Sequence, residues 1–249
     1  MAATNSHQKK IRFPGAFLML FVLTASAFAQ WPIPPARAPE RTARVQYVSG
    51  ELSVAPKETN QWTAARLYQS LPPAEYIWTG KNSRTEISVG DGFIRMNSEA
   101  SVTLVAINRS TVQIGVNQGE VSLTVPHLFP GEIYEIDAPN ATLTVTRSGI
   151  YRVEVHPDQD QTVVTARRGS IVATGGGNAV TIKEGEQVVF TARDSLQHSA
   201  QKAPARDGFE EWASVRDQRL GVGRRPFGVV FGYGPWPYGP PPPAPIWVR

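Results

Sequence analysis

Cysteine is absent from the 249-residue chain. That excludes disulfide frameworks, thiolate zinc sites, cysteine nucleophiles and lipid attachment through a processed N-terminal cysteine. Charged residues are scarce as well, at 18% against about 25% in an ordinary soluble domain. Long apolar runs are limited to one, from about Ala16 to Phe28, shorter than the roughly 20 residues that span a bilayer comfortably. Lys9, Lys10 and Arg12 precede this run and Ala27-Phe28-Ala29 ends it, which are the parts of a secretory signal peptide. Residues 1–29 are therefore expected to be a leader cleaved after Ala29, with an uncleaved signal-anchor as the alternative. No second apolar run of membrane length follows, so no stable membrane span is expected after cleavage. Lack of cysteine favours a bacterial periplasm, or secretion, over a disulfide-rich eukaryotic exterior.

The formal charge of +4 suggests anionic partners until it is divided by position. Lys9, Lys10 and Arg12 account for most of the excess, and residues 44–194 hold 13 basic against 16 acidic residues. No Lys/Arg stripe of the kind that tracks phosphates is left on that body, so nucleic acid is rejected as a partner.

Residues 30–43 open on Trp31-Pro-Ile-Pro-Pro-Ala-Arg-Ala-Pro39, a proline-rich, extended linker. Residues 44–194 read as short strands. Alternation of apolar and polar side chains is clean in 121–125, 143–145 and 151–155, and Val, Ile and Thr dominate. Further strands are expected at 45–48, 51–54, 76–79, 84–89, 93–96, 101–106, 111–116, 132–136, 161–166, 169–174, 179–183 and 186–192. A glycine-led repeat runs through them: Gly50-Glu-Leu-Ser-Val54 returns as Gly119-Glu-Val-Ser-Leu123, with echoes at Gly149, Gly169 and Gly185. The spacings are uneven, so an all-β sandwich or a short irregular β-roll is expected rather than a regular solenoid. Gly50, Gly80, Gly92, Gly119, Gly149, Gly169 and Gly185 are expected to be structural turn residues.

Residues 195–221 form a linker and a docking helix. Asp207 and Glu210 stand in a capping-box-like relation, Phe209 and Trp212 supply an apolar stripe, and Gly221 supplies a stop. Residues 222–249 form a tail with 8 Pro, 5 Gly and 6 aromatics, too open to bury a core of its own. Tyr233, Trp236, Tyr238 and Trp247 are its candidate partner-binding residues. The partner expected is another envelope protein, with a glycan as the second candidate.

The ordered set Gly50-Glu-Leu-Ser-Val54, Trp78-Thr-Gly80, Ser83-Arg-Thr-Glu-Ile87, Gly90-Asp-Gly-Phe-Ile-Arg95 and Gln118-Gly-Glu-Val-Ser-Leu123 resembles the FecR-like domain. Ile136-Asp-Ala-Pro-Asn140, Ser148-Gly-Ile-Tyr-Arg-Val153, Arg168-Gly-Ser-Ile-Val172 and Glu184-Gly-Glu-Gln187 continue it, and Asp207-Gly-Phe-Glu-Glu-Trp212 looks like the helix that follows this domain in exported relatives. The resemblance implies a protein-interaction or sensing platform. It also implies a FecR-type signalling component acting on a sigma factor, a reading disfavoured here because only about 15 residues precede the apolar run, too few for a folded cytoplasmic domain.

Chemistry finds little support in the residues. No histidine has a metal-binding mate at helical spacing, so no metal site is expected, and His127 and His156 read as turn residues. Asp158-Gln-Asp160 lacks the glycine and terminal glutamate of a calcium loop. Gly175-Gly-Gly177 precedes a strand and is no phosphate loop. Asn108 and Asn140 head glycosylation-type triplets that a bacterial setting makes incidental. Glu86, Glu120, Glu135 and Glu154 are expected on solvent faces, and Trp62, Trp78 and Trp212 in core or docking positions. No catalytic residue, cofactor or enzyme activity is expected. The alternative function is a polysaccharide-binding or carbohydrate-active envelope protein, which a cleft holding exposed Trp and two convergent carboxylates would favour.

Overall fold

The computed structural model describes residues 42–192 and 196–222. The leader and nearly all of the proline-rich linker lie outside the described residues, as do Tyr233, Trp236, Tyr238 and Trp247. The described chain begins with β1 (Ala43–Ser49), β2 (Leu52–Pro56), the two-residue strands β3 (Thr63–Ala64) and β4 (Ser70–Leu71), and β5 (Glu75–Thr79). It continues through β6 (Arg84–Val89), β7 (Gly92–Met96), β8 (Ser101–Ile107), β9 (Thr111–Val125), β10 (Ile133–Ala138) and β11 (Ala141–Val145). After these come β12 (Gly149–His156), β13 (Gln161–Arg168), β14 (Ser170–Gly175), β15 (Asn178–Lys183), β16 (Glu186–Thr191), β17 (Gln197–Lys202) and the helix α1 (Gly208–Arg219).

Strand pairing resolves the choice between sandwich and roll into two layers. Sheet A runs β4-β1-β6-β7-β9-β12-β13-β16-β17 and is antiparallel throughout. Sheet B runs β3-β2-β5-β8-β9-β10-β11-β14-β15, antiparallel except for the β9–β10 pair. Strand β9 serves both. Its first part, up to Gln118, pairs with β8 and β10, and Gly119–Val125 pairs with β12. The 17 strands are thus one connected sheet folded over on itself.

Each sheet turns an apolar row inward. Val45, Ile87, Ile94, Leu123, Tyr151 and Ala166 are successive cross-strand partners in sheet A. Leu104, Ile114, Ile136, Leu143 and Ala173 do the same in sheet B. Both rows belong to a single buried cluster. Period-2 alternation therefore places these side chains between the layers, where their removal from water drives the collapse.

The glycine repeat acquires a meaning here. Gly50, Gly80, Gly119, Gly149, Gly169 and Gly185 all sit where the chain passes from one sheet to the other. Gly92 differs, standing in the β6–β7 turn within sheet A. At Gly119 φ is +80°, and a methyl group would lie 2.6 Å from the Ala100 Cα, so only glycine fits the bend inside β9. The sequence suggested two strands, 111–116 and 121–125; the structure has one, because this bend keeps both halves hydrogen-bonded. Two further departures are β3 and β4, too short to show periodicity. Strand β17 also occupies part of the stretch read as linker.

Candidate functional site

Helix α1 covers the outer face of sheet A. The Asp207 carboxylate caps it, accepting hydrogen bonds from the Phe209 and Glu210 amides at 3.0 Å each and satisfying two otherwise orphaned donors. The capping box is only half formed. Glu210 turns away from the helix and meets the Arg167 guanidinium bidentately, at 2.5 Å on both oxygens.

A row of polar residues crosses the outer face of sheet A, and its part from Tyr47 to Arg152 lies beneath the helix. Tyr47, Glu86, Arg95, Ser122, Arg152, Thr165, Gln187 and Gln201 are successive cross-strand neighbours. Arg95 Nε donates to Glu86 Oε2 at 2.8 Å, Nη1 to Thr124 Oγ1 at 2.9 Å, and Nη2 to Asp217 Oδ1 at 2.7 Å. Glu86 in turn accepts two hydrogen bonds from Arg216, at 2.8 and 2.9 Å. Glu86 and Arg95 are fully buried. Such charges persist away from water only when every one is paired.

Arg152 forms a second centre. Nη1 donates to Asp207 Oδ2 at 2.6 Å and approaches Glu210 at 3.2 Å, while Nη2 lies 2.8 Å from Glu120 and Nε 3.0 Å from Glu154. The contacts to Glu120 and Glu154 are ion pairs with skewed hydrogen-bond angles. Burial pushes the Glu120 carboxyl up to about 7, despite a hydrogen bond from Asn97 and the nearby Arg152 charge. Burial also raises Asp217, with Arg95 opposing it. Asp207 goes the other way: burial resists its ionisation, but the helix amides and Arg152 hold it below the ordinary aspartate value.

Aromatic rings close one side of this interface. Tyr47 and Trp212 are 5.5 Å apart between centroids, Phe209 stacks on Trp212 at 5.8 Å, and the Arg216 guanidinium lies 4.5 Å over the Tyr47 ring. Phe209 is buried and Trp212 half-buried, so both dock on the β body. The expectation of solvent faces fails for Glu86 and Glu120, because the helix covers the polar side of sheet A. Glu135 and Glu154 are half-buried as well. The signal for this site was present as opposite charges at alternate strand positions, matched by Glu210, Arg216 and Asp217 on the helix.

The remaining residues singled out above take structural places. Asp160 ends the 3₁₀ turn Pro157–Gln159 at φ 47°. Asn108 Oδ1 accepts from the Ser110 and Thr111 amides and so builds a turn. Asn140 is buried, bonded to Thr162 and Asp160, which removes it from modification. Gly176 and Gly177, both at positive φ, link β14 to β15. Trp62 contradicts the core expectation, being 46% exposed. Among the described residues no cluster of His, Asp and Glu could hold a metal ion, and no helix is long and apolar enough to cross a membrane.

The fold and its covered face define a helix-capped, two-layer β domain. Residues 75–172, from β5 into β14, match the family model described as FecR protein. No curated protein matches the chain. Two crystal structures of a candidate anti-sigma factor from Parabacteroides distasonis are similar to it, each at 12% identity and TM-score 0.47, covering 59% of this chain and 73% of theirs.

Proposed function

We propose that the chain is a non-enzymatic sensing or scaffolding module of the bacterial envelope that works by binding another protein. The FecR match supports a signalling component, and it fits the FecR-type signalling reading that the sequence ranked last. One observation carries the binding reading. Strand β17 pairs with β16 on one side and with no other strand among the described residues, and all six of its residues are exposed. A row of unpaired backbone groups of this kind accepts an extended partner segment by strand addition. Export through the leader at 1–29 brings that edge to its partner in the periplasm.

The test is a pair of substitutions, Ser199→Pro and Ala200→Pro. Neighbouring residues of a strand direct their N–H groups to opposite edges, so one of the two variants leaves the β16 pairing intact. Affinity capture from envelope extract should retain one defined protein on the wild type and lose it on the proline variant that keeps the wild-type Tm. Retention by both variants overturns edge docking. Sequencing of the exported protein should begin at Gln30; a start at Met1 overturns cleavage.

A further inference from the structure

The opposite face of the molecule carries a second, unrelated surface. Trp62, just ahead of β3, stacks on Tyr76 of β5 with 6.5 Å between centroids and 25° between planes. Its ring borders a cleft of about 410 Å³ lined by Lys57, Asn60, Tyr76, Ser101 and Asn117. Trp78 stands two residues along β5 on the same outer face, opposite Ser101. Asn117 Nδ2 donates to Thr103 Oγ1 at 2.9 Å, which fixes the amide with its oxygen free to accept.

From this cleft, strand register leads across the outer face of sheet B to a pair of carboxylates. Tyr76 faces Thr103, Thr103 faces Gly115, and Gly115 faces Asp137. The span from Tyr76 to Asp137 covers three strand spacings, about 14 Å. Gly115 lacks the left-handed φ of the bend glycines, and a methyl group there would make only an ordinary 3.6 Å contact with Thr103. The backbone therefore does not demand glycine at this position; an added side chain would press on Thr103 and Asn117, and Asn117 lines the cleft. At the far end Gln113 Nε2 donates to both Glu135 Oε1 and Asp137 Oδ2 at 2.9 Å, drawing two half-buried carboxylates together.

We propose that this surface binds an unbranched neutral oligosaccharide. Sugar rings present flat C–H faces to the exposed Trp62 and the half-buried Tyr76 and Trp78, and a rim of hydroxyls to the amide and hydroxyl groups of the cleft and the carboxylates beyond it. The paired carboxylates repel phosphates, which excludes nucleic acid, and accept hydrogen bonds from hydroxyl donors.

Isothermal titration of the full chain with cellopentaose, xylopentaose and chitopentaose provides the test. At least one should bind the wild type. Trp62→Ala should weaken that binding by about tenfold, and Trp62→Phe should restore most of it. Gly115→Val, which displaces Asn117 of the cleft without backbone strain, should weaken it too. Trp62→Ala alters only an exposed ring, so it decides the matter even where Gly115→Val perturbs folding. Absence of binding for all three sugars, or equal binding by wild type and Trp62→Ala, overturns the proposal.

Discussion

Arg95 holds three partners at once in a place that water does not reach. Replacing it with Met would leave Glu86 and Asp217 as buried charges without their shared cation. We expect Arg95→Met to cost about 3–5 kcal/mol, measured by denaturant unfolding, with Arg84→Met as the comparison. Glu120 makes a different prediction. Its carboxyl titrates near 7 in the fold against 4.5 in an open chain, so the folded state holds the proton more tightly. That contribution is full below about pH 4.5 and is lost as pH climbs towards 7. The groups facing Glu120 are Asn97, Arg152, Glu154 and Asp207, and Asp217 under the same helix shifts in the same direction. Glu120→Gln should flatten the fall in Tm between pH 5 and 8, and an unchanged slope would contradict this assignment. The sequence carried the opposite charges of Glu86, Arg95, Arg216 and Asp217 but not their burial, because burial of a strand's polar face depends on a helix more than 120 residues away.

At the scale of elements, α1 was the most legible. Asp207 caps it, and Leu220 ends it ahead of Gly221 at φ 72°, as the residue types suggested. Asp207→Ala removes the cap and one ligand of Arg152 together, and should cost about 0.5–2 kcal/mol. The loss should be visible as faster hydrogen exchange confined to α1. Most strands were legible too, since alternation marks them individually. What alternation leaves out is pairing between distant segments, and that explains the misreadings. Gly119 looks like a break because a glycine in isolation reads as a turn; only β8, β10 and β12 on either side show that β9 runs through it. The surface on sheet B was equally hidden. Tyr76, Gly115 and Asp137 fall on one row only through strand register, although the apolar and polar character of each was plain.

For the molecule as a whole, the sequence supports an all-β body with a docking helix, and the unevenly spaced glycines turn out to mark six of the passages between hairpins laid alternately into two layers. Those crossings govern how the molecule comes apart. Adjacent hairpins belong to different layers, so releasing any interior segment exposes core on both sides, and neither layer can persist without the other. Opening should therefore occur in two tiers. The short edges β3, β4 and β17 fray at little cost, and everything else melts in one cooperative transition. Amides of β9, interior to both layers, should exchange only through that global event, at a free energy matching denaturant unfolding. A 15-residue strand bent at one glycine thereby makes the two sheets a single thermodynamic unit.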